Sequence, residues 1–393
     1  MAASAALPRS DASAPVPGDG VVAPQIRLLG TAHFADPDHC AQWDALAGKA
    51  LEPNPFFESW FLLPSLRAFD PAGKVQLLCM EAGGELLALL PVTRAARYYG
   101  HPLPHLHNWV HANCFLGTPL VARGMETAFW QALLAWCDGH AGTALFLHLS
   151  HMPADGPLHD ALVQALAGTR RPAATVMREE RAVLASTLSP DDYLEQSLTG
   201  KKRKELRRQH RRLGEEGVLS VERADNAAND PASVAAWIDE FLDLEQRGWK
   251  GQAGSALASD PRTADIFRAA LLGAAAHGRL DRLAIRLDGR PLAMLASFIT
   301  PPAAFSFKTA FDEDYARFSP GVLLQRENLE LLTRDDIAYC DSCAAADHPM
   351  IDHFWRERRS MARHNIGIGG AFRRRLFAML AARETGAPAR GLS

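Results

Sequence analysis

From residue 25 onward, apolar positions recur with two spacings, about two residues in some stretches and three to four in others, so strands and helices alternate along the chain. Residues 25–29 predict a short strand and 39–51 a helix. Asn54-Pro55 breaks the chain ahead of a second helix carried by Phe57, Trp60, Leu63 and Leu66. Residues 75–80 and 85–92 flank Gly83-Gly84, the composition of a tight hairpin turn. Further strands are expected at 115–121 and 144–149, with a helix over 125–140 between them.

The Gly, Thr, Arg and Pro content of residues 168–180 predicts a seam. Beyond it, Ser189-Pro190-Asp191-Asp192 supplies a cap, a proline at the first helical position and acids in the first turn. That helix leads into "TGKKRKELRRQHRRLGEEG", where Leu206 and Leu213 are the apolar residues, seven apart. So narrow a stripe predicts a helix that packs along one edge and shows cations over most of its girth. Then come a strand (218–223), helices over 231–246 and 261–277, and a meander of three strands at 282–287, 291–299 and 304–311. A helix opened by Ser319-Pro320-Gly321, a strand at 337–343 and a helix over 350–361 complete the order. The expected fold class is mixed α/β (α+β), with two mixed, mostly antiparallel sheets flanked by helices. The expected domains are a disordered leader (1–24), an N-terminal half (25–180), a C-terminal catalytic half (181–384) and a flexible tail (385–393).

Composition sharpens the basic segment. The chain holds 42 Lys plus Arg against 45 Asp plus Glu, net −3. Residues 201–212 contain eight cations and one anion, so this segment contributes +7 and the rest of the chain −10. The basicity is local, and the isoelectric point near 6.6 argues against a general nucleic-acid binder. No apolar run reaches the length of a membrane span. The Ala- and Pro-rich leader is interrupted by Arg9 and Asp11 before a signal-peptide core could form. The six cysteines are scattered, and the pair Cys340 and Cys343 lacks the second pair that a zinc site needs. These features suggest a cytoplasmic protein, peripheral on the inner membrane if its basic helices meet anionic lipid.

The stretch "FSFKTAFDEDYARFSPGVLLQRENLELL", with "TGKKRKELRRQHRRL" and "EQRGWKG" before it, resembles the GNAT (N-acyltransferase) superfamily. The similarity is to the branch associated with bacterial cellulose and exopolysaccharide biosynthesis and related to the Fem-type peptidyltransferases. It spans about 189–370 and extends to 53–121 through "NPFFESWFLLPSL" and "CFLGTPLV". It implies a tandem GNAT-like fold and metal-free transfer of an acyl group to a primary amine of a cell-envelope precursor, an amino sugar or a lipid base. Acyl-CoA is the implied co-substrate, with acyl carrier protein or aminoacyl-tRNA as other donors. A non-catalytic module that binds anionic membrane or nucleic acid is a further reading of the same segments. Many GNAT enzymes carry a multi-glycine loop for pyrophosphate. Here the corresponding stretch is only Arg317-Phe318-Ser319-Pro320-Gly321, so Arg317, Ser319, Gly321, Val322 and Leu323 are the expected donor-binding residues.

The chemistry sets further requirements. An alkylammonium acceptor is neutral in roughly one molecule in 10³ at pH 7, so a proton must leave before or during attack. Asp312 and Glu313 are the expected base candidates, and Lys308 a charge that orients substrate or stabilises the oxyanion. His111, within the histidine-rich stretch 101–111, is a second candidate base or acceptor ligand. Pro102 and Pro104 disturb the spacing that a metal would need there, and no metal is expected. Trp249, Lys250, Tyr315, Asp341 and His348 are expected to line the acceptor site. The basic helix and the C-terminal stretch "AFRRRLFAMLAARE", with Phe372, Leu376, Met379 and Leu380 at helical spacing, are candidate membrane-facing segments.

Overall fold

The computed structural model describes residues 24–224, 230–346, 348 and 350–392. The expected leader, apart from Pro24, lies outside them. The chain divides into two compact units, Met1–Glu180 with Arg359–Ser393, and Arg181–Arg358.

In the first unit, β1 (Gln25–Leu29), β2 (Gln76–Ala82) and β3 (Glu85–Ala95) form antiparallel neighbours, the last two joined at Gly83 and Gly84, both at positive φ. β4 (His105–Asn108) follows β3 antiparallel, and β5 (Leu120–Val121) pairs β3 elsewhere. β6 (Phe146–Pro153) then runs parallel to β4. Helices α1 (Pro37–Lys49), α2 (Ser59–Phe69), α3 (Glu126–Gly139) and α4 (Pro157–Gly168) bury Trp43, Phe61, Trp130 and Leu162. Asn54 stands at the expected break, its side chain accepting from the Phe56 N–H. One expectation is corrected here: the strand expected at 115–121 contracts to β5. β4, inside the histidine-rich stretch, begins directly after Pro104.

β7 (Ala173–Leu184) runs through the expected seam, and within it the chain leaves the first unit. The second unit continues with α5 (Pro190–Ser197) and α6 (Gly200–Glu215), capped by Ser189 and Thr199. Next come β8 (Leu219–Ala224), α7 (Pro231–Arg247), the short α8 (Trp249–Gln252) and α9 (Pro261–Ala276). The meander is β9 (Leu280–Leu287), β10 (Arg290–Thr300) and β11 (Ala303–Phe311). α10 (Pro320–Asn328) and β12 (Tyr339–Asp341) follow. Strand order is β8-β9-β10-β11-β12, closed by residues 183–184 of β7 against β12. β9 is buried along its whole length. One face meets α10, with Leu283, Leu295, Leu323 and Leu324 in the core. The other is lined by aromatics, Phe241, Phe267, Phe307 and Phe298, whose successive ring centroids lie 4.7–6.1 Å apart.

The helix expected over 350–361 is replaced by turns and by β13 (Glu357–Gly367). Ile351, Phe354 and Trp355 fill the second core from those turns, so their helix-like spacing reflects packing without a helix. β13 pairs β6, and α11 (Ala371–Thr385) sets Phe377 against Phe146, ring centroids 5.6 Å apart. Residues 359–384 therefore belong to the first unit, correcting the expected end of the second half. The expected tail also packs: Ala389 is buried, and the Gly391 N–H donates to Ala173 O at 3.2 Å. No helix among the described residues is long and apolar enough to cross a membrane.

Candidate active site

In the second unit, β11 and β12 share three parallel register pairs, Ala303↔Tyr339, Ala304↔Cys340 and Phe305↔Asp341. β12 ends there, whereas β11 runs on to Phe311. Residues 306–311 thus keep β10 as their one strand partner. A register shift at Ala296/Ser297 leaves Phe307 as an extra residue on β11, a bulge of the kind that re-aims the side chains after it. Lys308 is the next residue.

Lys308 is half-buried, its Nζ 5.5 Å from the centroid of the Phe307 ring. Burial, and after it the positive charge of Lys250, push its ammonium down to about 8, against the pull of Glu245 and Cys343. Lys250 is fixed from two sides: its Nζ donates to Glu245 Oε1 at 2.7 Å and to Thr309 O at 3.2 Å. Glu245 Oε2 accepts from the Leu257 N–H at 2.7 Å, so both carboxylate oxygens are engaged. One amine is thus paired with a carboxylate, and the other is drawn toward neutrality by burial and by that neighbouring charge.

The carboxylates expected to act as base hold the frame around these amines. Asp312 is buried; Oδ2 meets Arg290 Nη2 at 2.6 Å, and Oδ1 accepts from the Asp314 N–H at 3.0 Å, capping a 3₁₀ turn over Glu313–Phe318. Glu313 Oε1 accepts from the Trp249 N–H at 2.6 Å, which anchors α8 and leaves the Trp249 side chain 54 % exposed. Asp341 is fully buried, 3.6 Å from Arg181, and accepts from the Cys343 N–H at 2.8 Å. His348 is half-buried, its imidazolium disfavoured by burial and opposed by Asp352, with Lys250 close enough to repel it. Tyr315 packs against the core beside Phe318. Cys343, whose thiol burial pushes well up, and Arg181 carried no local sequence signal for this site; tertiary placement alone brings them here.

On the expected donor side, Ser319 adopts left-handed backbone angles (φ 52°, ψ 53°) as the cap of α10. Pro320 has no N–H, and the N–H groups of Val322 and Leu323 both donate to Ser319 O at 3.0 Å. A Cβ on Gly321 would lie 2.6 Å from Met350 Sδ. Val322 is half-buried, and Leu323 is a core side chain, so neither offers a free group for phosphate. Arg317 is exposed, pairs with Glu216 at 2.9 Å and lies over the Phe318 ring. Gln209 of α6 donates to Ser319 Oγ at 3.2 Å.

The first unit repeats the strand pattern but not the chemistry. β4 and β6 share His105↔Phe146, Leu106↔Leu147 and His107↔His148, then part at Asn108. There Asn108 Nδ2 donates to Ser150 O at 2.9 Å and Gly117 O at 3.0 Å, while Oδ1 accepts the Ser150 N–H at 2.9 Å. The Gly117 N–H donates to His151 O at 2.8 Å. His111 belongs to this unit, amid Phe61, Phe69 and Trp109, and its Nδ1 accepts the Asn113 N–H at 3.3 Å.

Residues 200–354 match the acetyltransferase (GNAT) domain model, covering most of the second unit. No curated protein sequence matches the chain. Among solved structures, FemX is similar over 87 % of this chain and 98 % of its own, with 10 % identity and a TM-score of 0.54. A conserved protein of unknown function from Bacteroides thetaiotaomicron VPI-5482 is similar over 83 % and 97 %, with 11 % identity and a TM-score of 0.53. At these identities the likeness is one of fold. With its GNAT domain, the chain is an acyltransferase.

Proposed function

We propose that this acyltransferase moves an acyl group from a thioester donor to a primary amine of a cell-envelope precursor, an amino sugar or a lipid base. The amine attacks directly, without a covalent enzyme intermediate. The observation that carries the reading is the stretch of β11 that runs on past the end of β12 within the matched domain, where Lys308 is desolvated and Lys250, held by Glu245 and Thr309 O, acts on its charge. The acceptor class rests on the resemblance of the motifs around that strand.

Proton acceptance is placed on Lys308 rather than Asp312. Both Asp312 oxygens already hold Arg290 and the Asp314 N–H. An amine whose pKa lies near 8 has a neutral fraction large enough to take a proton near physiological pH. In this step the acceptor nitrogen forms the C–N bond, the C–S bond breaks, and the thiolate leaves. The proton lost by the amine passes to Lys308 and on to the thiolate. Lys250, held in place by its pair with Glu245, is suited to face the developing oxyanion.

The test is free-thiol release from acyl-CoA and acyl-carrier donors of several chain lengths, incubated with a panel of amino sugars and lipid amines. Amine-dependent release with one acceptor class is the expected result. Absence of release across the panel, together with no donor binding by calorimetry, overturns the proposal.

A further inference from the structure

We infer that the outer face of α6 is the docking surface for an acidic acyl carrier protein, which presents the thioester on a phosphopantetheine arm. This deepens the function proposed above by naming the donor, and rests on it.

The first observation is the ionic character of α6. Lys201, Lys202, Lys204, Arg207, Arg208 and Arg211, with Thr199 and the anionic Glu205 among them, line an open cleft of about 830 Å³ between side chains of this helix and its cap. Arg208 pairs with Glu205 at 2.5 Å and Arg211 with Glu215 at 3.6 Å, whereas Lys201, Lys202, Lys204 and Arg207 have no ion pair among the described residues. The only large apolar side chains of the helix, Leu206 and Leu213, are buried. A single-stranded nucleic acid would call for aromatic platforms, and a lipid surface for exposed apolar side chains. α6 shows neither toward solvent. A row of cations over residues 201–212, about 18 Å of helix at 1.5 Å per residue, suits an acidic protein helix laid alongside it.

The second observation is the poverty of the neighbouring phosphate seat. Pro320 has no N–H, and the Val322 and Leu323 amides are engaged on Ser319 O, so the α10 N-terminus offers a pyrophosphate few amides. A carrier-borne arm brings one phosphodiester instead, and the carrier's own acidic surface supplies the remaining attraction. Gln209 to Ser319 and Glu216 to Arg317 fix α6 directly beside that seat, so a carrier held on α6 lies next to the entry for its arm.

Two measurements on the full chain decide it. Labelled apo acyl carrier protein, which cannot react, is titrated by fluorescence anisotropy. Binding that weakens steeply with salt, and falls about tenfold or more in Lys201→Glu/Lys204→Glu/Arg207→Glu, is expected. With acyl-loaded carrier, the same variant raises KM about tenfold with kcat within about twofold. Reversing acidic residues of the carrier to Lys restores the KM. Circular dichroism checks that the variant is folded, since Leu206 and Leu213 are untouched. Turnover with acyl-CoA but no carrier binding overturns the docking inference alone, as does tighter binding of tRNA or anionic vesicles at the same salt. Carrier binding without turnover of any donor sustains the docking surface and overturns the transfer reading.

Discussion

The two places where parallel strands part have the same strand order and opposite contents. Between β4 and β6 a neutral amide, Asn108, and the backbone of Gly117 use their hydrogen bonds on one another's surroundings, and the gap is sewn closed. Beyond β11 and β12 the chain places two amines, one of them bonded to Thr309 O, and no amide plug among the described residues. Backbone hydrogen bonds left open are costly unless something fills them, so a stretch left open beside charged side chains marks where a substrate is expected. The strand pattern makes the gap, and a few side chains decide whether it works or merely holds.

The strongest way to break this contrast is to force the sewn gap apart. An added Cβ at Gly117 would sit 2.0 Å from Ser150 O, a backbone atom that cannot swing away. Gly117→Ala is expected to cost about 4 kcal/mol or more, read as loss of the cooperative transition in urea. In the second unit, Lys308→Met is expected to lower turnover about 100-fold or more while the melting temperature stays or rises, because a desolvated ammonium is removed. Wild-type thiol release in that variant would take proton acceptance away from Lys308.

Acid separates the units further. Burial pushes His148 down to about 4 and His364 to about 3, so both stay neutral in the folded first unit at pH 5. In the unfolded chain they charge near 6.5. Their contribution to stability is therefore complete above that pH and is lost as pH falls toward 4, each at up to about 1.4 kcal/mol per unit. Urea titrations between pH 7 and pH 5 should show the first unit weakening before the second. The smallest expected shift is in the pH profile of Lys250→Met, a variant that also slows turnover because the oxyanion loses its cation. Removing that charge raises the Lys308 pKa above about 8, so the rise of kcat/KM with pH moves upward by up to about one unit.

Much of the frame was legible in local signals. Gly83-Gly84 specified its hairpin, Ser189 and Thr199 cap their helices, and Leu206 and Leu213 are the packed edge of α6. Signals failed where tertiary pairing overrides local pattern. β4 arises in a stretch broken by prolines because β3 and β6 hold it from both sides. β13 carries five arginine, histidine and asparagine side chains among its eleven residues, no strand pattern at all, and is fixed by β6. α11 presents Phe377 and Ala381 to the core, while Phe372 and Met379, at the spacing read as its apolar face, are exposed at 83 % and 65 %. At the site, Lys308, Lys250 and Trp249 stood out through motif and spacing. The clasp of Glu245 on Lys250, the Arg181–Asp341 pair and the position of Cys343 depend on contacts too distant in sequence to foresee.

The course of β7 and β13 has a consequence for how the molecule is made. β6 awaits a partner that arrives more than two hundred residues later, while the strand that follows β6 in the chain serves β12 instead. A nascent chain emerging from the ribosome therefore carries an unfinished sheet edge until residues 357–367 are translated. The wait exposes β6 to chaperones and to neighbouring chains, and it ties maturation of the first unit to complete synthesis of the second.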